Sequence, residues 1–94
     1  MSARRRRLDI EALCAAGFEL PVSLDPATGW VASYPVNATP ESWGVTRDDK
    51  DVDAEGRPVW ALCNGYDGDC DTDFSPAPLR VALAEACRRN GGAR

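Results

Sequence analysis

A chain of 94 residues that is 44% apolar and 28% charged has the make-up of one globular domain, which excludes a wholly disordered polypeptide. It contains no histidine, which excludes Ser-His-Asp and Cys-His nucleophile pairs and removes the commonest zinc ligand. No apolar run approaches the ~20 residues that a membrane-spanning helix needs.

Arg4 to Arg7 make residues 1–7 a basic flexible arm, and residues 8–94 read as a single α+β domain. Asp9 and Glu11 fall where the apolar stretch of an export signal would have to lie, so the expected location is cytoplasmic and the four cysteines are expected as thiols. Asp9 is placed to cap a helix, with Leu8 stapled onto Leu13. Ile10, Leu13, Cys14, Gly17 and Phe18 follow one helical face, and Gly17 is the stop.

Leu20, Val22 and Leu24 then alternate as a first strand, and Pro21, which has no N–H for a ladder, puts that strand at an edge. Asp25 to Gly29 is a turn by composition. Trp30, Ala32, Tyr34 and Val36 share one face of a second strand. A third runs from Ser42 to Arg47, with Trp43 and Val45 on one side. Residues 48–56 form a polar hairpin tip, and Val59 to Cys63 a fourth strand with Trp60 facing away from Val59, Ala61 and Cys63. After an acidic loop, Ser75-Pro76 opens a last helix whose stripe is Leu79, Leu83, Ala86 and Cys87, with Ala82 beside it. Asn90-Gly91 ends it, and Arg88 and Arg89 suit the negative helix terminus. The expected fold is α+β: an antiparallel meander of three or four strands with an N-terminal and a C-terminal helix packed on one face.

Charge is unevenly placed along this chain. The formal net charge is −4, yet residues 48–73 alone hold nine acids against Lys50 and Arg57. Asp67, Asp69, Asp71 and Asp73 alternate like the first ligands of an EF-hand loop, but counting from Asp67 puts Thr72 sixth and Pro78 twelfth. The run from Asp51 does place Gly56 sixth, and its twelfth residue is Leu62. Both lack the bidentate glutamate on which that calcium site depends. The cysteines form no close pair of the structural-zinc kind, and Cys14, Cys63 and Cys87 read as small buried hydrophobes. Cys70, between Asp69 and Asp71, has surroundings that disfavour its thiolate. A Cys63–Cys70 disulfide fits the loop geometry but is not expected in a reducing compartment. No cofactor, no resident metal and no catalytic set is expected, so the chain reads as a binding protein and not an enzyme.

The clustered acids read either as solvated loop tips or as a recognition surface. On the second reading Asp48, Asp49, Asp51, Asp53, Glu55, Asp67, Asp69, Asp71 and Asp73 contact a partner. If the run 67–73 is extended, alternate carboxylates lie ~6.6 Å apart on one side, and the run 48–55 adds a second row beside it. The partner would be a protein with a basic, nucleic-acid-binding surface. Direct binding of DNA or RNA through the arginine arm, and a weak divalent-cation site in the acidic loops, are the alternatives. A short acidic domain with tryptophans on its strands and the segments Asp48-Asp49-Lys50-Asp51-Val52-Asp53 and Asp67-Gly68-Asp69-Cys70-Asp71-Thr72-Asp73 resembles small inhibitors encoded by phages and mobile elements. Anti-CRISPR proteins are the best-known group of these. The resemblance is one of general character over the whole chain. It implies a non-catalytic inhibitor that occupies the nucleic-acid-binding surface of a host nuclease complex.

Overall fold

The computed structural model describes residues 3–65 and 69–91, with side chains from Asp9 onward except that of Asp69. Helix α1 (Ala3–Ala15) leads into strands β1 (Val22–Asp25), β2 (Trp30–Ser33), β3 (Trp43–Arg47), β4 (Ala61–Asn64) and β5 (Asp69–Cys70), and helix α2 (Leu79–Arg89) closes the chain. The strands pair antiparallel in sequence order, β1-β2-β3-β4-β5. The expected meander is therefore present, with β1 at one edge as Pro21 requires and a two-residue β5 added at the other. No helix among the described residues is long and apolar enough to cross a membrane.

α1 starts at Ala3, ahead of the expected cap at Asp9, so the backbone of the arginine run is helical. Arginine is a good helix former, and nothing before Asp9 breaks the helix. The side chains of Arg4 to Arg7, and the expected Leu8 staple, lie outside the described residues. At the other end the stop is the one that Gly17 promises. The Phe18 N–H bonds Leu13 O at 2.9 Å and the Gly17 N–H bonds Cys14 O at 3.1 Å, with Gly17 at φ +77°. This six-to-one and five-to-two pair of bonds satisfies the last carbonyls and brings Phe18 back onto Leu13, both in the core. The same geometry leaves Cys14 exposed and Ile10 at the edge of solvent, so the expected stripe is narrower than its spacing suggests.

The core lies between the helices and one face of the sheet. Val45 and Leu62 are cross-strand partners and so point the same way. They meet Leu13 and Phe18 from the α1 end and Leu79, Ala82, Leu83 and Ala86 from α2, with Trp60 beside them. The stripe expected on α2 is thus buried as read, with Cys87 only half-buried at its margin. α2 begins after Pro78 instead of at Ser75 because Ala77 is taken by the sheet: its N–H and C=O both bond Trp60, at 3.0 and 2.7 Å.

The opposite face carries no helix but is not bare. Ala32, Thr46 and Cys63 are buried there by two aromatic side chains from β2 and its extension. The Trp30 indole N–H donates to Thr46 Oγ1 at 2.5 Å, and the Tyr34 ring crosses Gly44 to reach Gly65 O with its hydroxyl at 2.7 Å.

β2 ends at Ser33, opposite Val45, so the two backbone groups of Trp43 that face that side have no strand to bond. Asn90, the residue that ends α2, supplies them instead: its Oδ1 accepts from Trp43 N at 2.7 Å and its Nδ2 donates to Trp43 O at 2.9 Å.

Two substitutions test these contacts by urea denaturation. Gly44→Ala would put a Cβ 2.6 Å from both Ser33 O and the Tyr34 ring, and is expected to cost about 1–3 kcal/mol through overpacking. Asn90→Ala strands two part-buried backbone groups, with an expected cost of about 1–3 kcal/mol.

Candidate functional site

The loop from Asp48 to Val59 joins β3 to β4 at one end of the sheet. Its first turn is closed by its own carboxylates, since Asp48 Oδ1 accepts from Lys50 N at 2.8 Å and Asp51 Oδ2 accepts from Asp48 N at 3.0 Å. Short acidic side chains bond the backbone two or three residues away in this manner, which is why such a sequence turns here. The Asp49 N–H reaches across to Thr28 O at 3.2 Å, and its carboxylate lies where a side chain on Gly29 would be. Gly29 therefore admits Asp49 to the β1–β2 turn, where Asp25 Oδ1 caps Ala27 N at 3.0 Å. Asp25, Asp48, Asp49 and Asp51 are gathered at one end of the sheet.

Beyond them the loop folds into a small hairpin in which Val52 bridges Pro58. Asp53 Oδ1 accepts from the backbone N–H groups of Arg57 and Glu55, both at 2.9 Å, while Oδ2 takes the Arg57 Nε at 3.0 Å. The Arg57 Nη2 also holds Glu55 at 2.9 Å. The backbone N–H of Arg57, then that of Glu55 and the guanidinium, hold the Asp53 carboxyl below its ordinary range. Two of the acids read as partner contacts are thus met by the protein's own arginine.

The other acidic run is arranged differently from the expectation. Asp67 lies outside the described residues, as does the side chain of Asp69, whose backbone pairs with Asn64 on β4. The strand ends at Cys70, and Asp71 Oδ1 turns back to accept from Asp73 N at 3.0 Å. The extended row of alternate carboxylates therefore does not form over residues 71–73. Asp69 also sits at the end of β4 opposite the 48–59 loop, so no second row lies beside the first. Asp73 is exposed and carries no ion pair among the described residues, whereas Asp71 is bound by Arg89 Nη1 at 2.7 Å.

That ion pair belongs to a wider arrangement at the end of α2. Arg89 lies over the Trp43 ring at 4.6 Å, and its Nε reaches Glu85 at 2.8 Å, where Arg88 also pairs. Hydrogen bonds from Arg88 and then Arg89 hold the Glu85 carboxyl down to about 2. The backbone N–H of Asp73, followed by Arg89, lowers Asp71 as well.

Sequence patterns gave no sign of one further feature. Between α1 and the sheet runs an open groove of about 480 Å³ lined by Ile10, Leu13, Leu20, Val31 and Trp60, with Asp49 at its rim. Arg47 also lines it; its Nη2 donates to Asp51 O at 3.1 Å, while its buried Nε has no acceptor among the described residues. Only the unpaired apolar character of Leu20, ahead of Pro21, could have hinted at it. No group of three or more metal-ligating side chains is found among the described residues.

The Glu85 cluster gives a pH prediction. Its folded-state pKa of about 2 lies below its ordinary 4.5, so the stability it adds is present above 4.5 and is lost as pH falls toward 2. Carboxyl chemical shifts are expected to titrate with a midpoint near 2 for Glu85, and Arg89→Gln to move that midpoint and that of Asp71 upward. A Glu85 midpoint unmoved by the substitution would deny Arg89 that role.

No protein-family model, no curated protein and no solved structure matches this chain.

Proposed function

We propose that this protein is a small, non-catalytic, partner-binding module of the cytoplasm that docks the Asp48–Asp51 end of its sheet onto a basic surface of another protein. The supporting observation is the uneven use of its arginines. Arg57 is committed to Asp53 and Glu55, and Arg88 and Arg89 to Glu85 and Asp71. Asp48, Asp49 and Asp51 have no ion pair among the described residues. The carboxylates of Asp48 and Asp51 are tied to backbone N–H groups and that of Asp49 is seated against Gly29, which fixes their direction without pairing them to a cation.

Beside them the apolar groove offers surface that a partner can dry, which gives the mixture of apolar centre and charged rim usual in protein interfaces. Asp53 and Glu55, further along the same loop, carry the same sign of charge, part of it already answered by Arg57. A surface of this kind attracts proteins whose lysines and arginines are arranged to hold phosphates. Together with the class resemblance to phage-encoded inhibitors, this makes occupation of a nucleic-acid-binding surface, such as that of a CRISPR nuclease complex, the specific form of the reading.

The triple variant Asp48→Asn, Asp49→Asn, Asp51→Asn keeps the oxygen acceptors of the turn and removes its charge. Wild type and variant, each immobilised, are to be compared for proteins retained from a lysate of the source organism or its host. A retained protein is expected that the variant loses, that duplex DNA or RNA displaces, and whose association rate falls roughly tenfold in the variant at low salt. That difference is expected to shrink as salt rises. Equal retention by the two proteins, or retention that nucleic acid does not compete, would refute the reading.

A further inference from the structure

We infer that Cys63 and Cys70 form a reversible dithiol–disulfide pair, a redox-modification site built into the β4–β5 edge and oxidised by low-molecular-weight disulfides of the glutathione class. Both are thiols in this structure. The register of the two strands sets Cys63 directly opposite Cys70, so their side chains leave the sheet on the same face.

The hydrogen bonds identify the kind of pair. Asp71 N donates to Leu62 O at 3.0 Å, a bond between the residue after Cys70 and the residue before Cys63. In an antiparallel ladder such a bond flanks a pair that exchanges no backbone hydrogen bonds of its own. In pairs of that type the Cα atoms approach to about 4.5 Å and the side chains lie closest. Disulfides bridge Cα atoms about 4.4–6.8 Å apart. The bond therefore closes without unpairing the strands.

The two thiols differ in access, which assigns their order of reaction. Cys70 is exposed, while Cys63 is 1% exposed beneath Tyr34, with its thiol donating to the Tyr34 hydroxyl oxygen at 3.4 Å. The Cys70 thiolate attacks one sulfur of the small disulfide, forming a mixed disulfide and releasing one thiolate. Cys63 then gives up its proton and attacks the Cys70 sulfur, which expels the second thiolate. The protein loses two protons and two electrons, and the small disulfide takes them up to become two thiols. Burial raises the Cys63 thiol pKa, so little of it is ionised at any moment. The second step is intramolecular, and proximity offsets that scarcity. Oxidation also removes the hydrogen that Cys63 donates to Tyr34 and ties both ends of the chain segment 63–70 together.

The full-length protein is to be equilibrated in mixtures of reduced and oxidised glutathione, quenched with acid, alkylated and cut with trypsin. Cys63 and Cys70 fall together in the fragment 51–80, since Arg57 is followed by Pro58, whereas Cys14 lies in 8–47 and Cys87 in 81–88. The expected product is fragment 51–80 lighter by two hydrogens, unlabelled, and restored by dithiothreitol. The ratio of disulfide to dithiol should rise in proportion to the concentration of oxidised glutathione divided by the square of the reduced. The Cys14→Ser, Cys87→Ser double variant should behave alike, and Cys63→Ser should stop at the glutathione adduct on Cys70. The inference is overturned if wild-type fragment 51–80 remains a dithiol in oxidised glutathione alone, if it accumulates only as a glutathione adduct, or if it is joined to either of the other fragments.

Discussion

Much of this structure hangs on the two residues that finish α2. Asn90 presents its side-chain amide to Trp43 as though it were a further strand, filling the place beside β3 that β2 leaves when it stops at Ser33. Arg89 covers the Trp43 ring and joins it to Asp71, just after β5. One helix terminus thus reaches both the central strand and the far edge of the sheet. In a chain this short, where apolar burial is limited, such polar closure contributes to holding the helix in one position over Val45 and Leu62. It also affects which charges face outward, because Arg89, committed to this junction, is largely withdrawn from the surface.

Elements governed by near neighbours in the chain are the ones that sequence patterns describe well. The α2 stripe from Leu79 to Ala86, the glycine stop after α1 and the edge placement forced by Pro21 each follow from local chemistry, and each is present. The departures come from partners distant in sequence. Ser75-Pro76 is a good helix opening in isolation, but Trp60 captures Ala77 and postpones the helix. Cys14 fits the periodic face of α1, yet it stands exposed while Leu13 and Phe18 take the core positions.

The candidate site shows the same division. Clustering of the acids is plain in the sequence, but their directions depend on Arg57 and Arg89, and the pairing of Arg89 with Asp71 spans most of the distance between β5 and the C-terminus. Alternation along 67–73 suggests an extended row, whereas the Asp71 side chain closes a turn onto Asp73. The groove under α1 was illegible because its walls come from five stretches of chain, none of which looks unusual alone. The opposition of Cys63 and Cys70 likewise depends on strand register, which residue spacing leaves open by one position in either direction.

β1 has all but its last residue exposed, with Val22 and Leu24 about half uncovered. An open edge of that composition invites another chain to add itself as a strand. Here the run is interrupted at both ends, by Pro21 before it and by the shift in register between Ser23 and Asp25. What remains straight is too short to template a neighbour, so the sheet can leave apolar side chains in water without recruiting copies of itself into a growing ribbon.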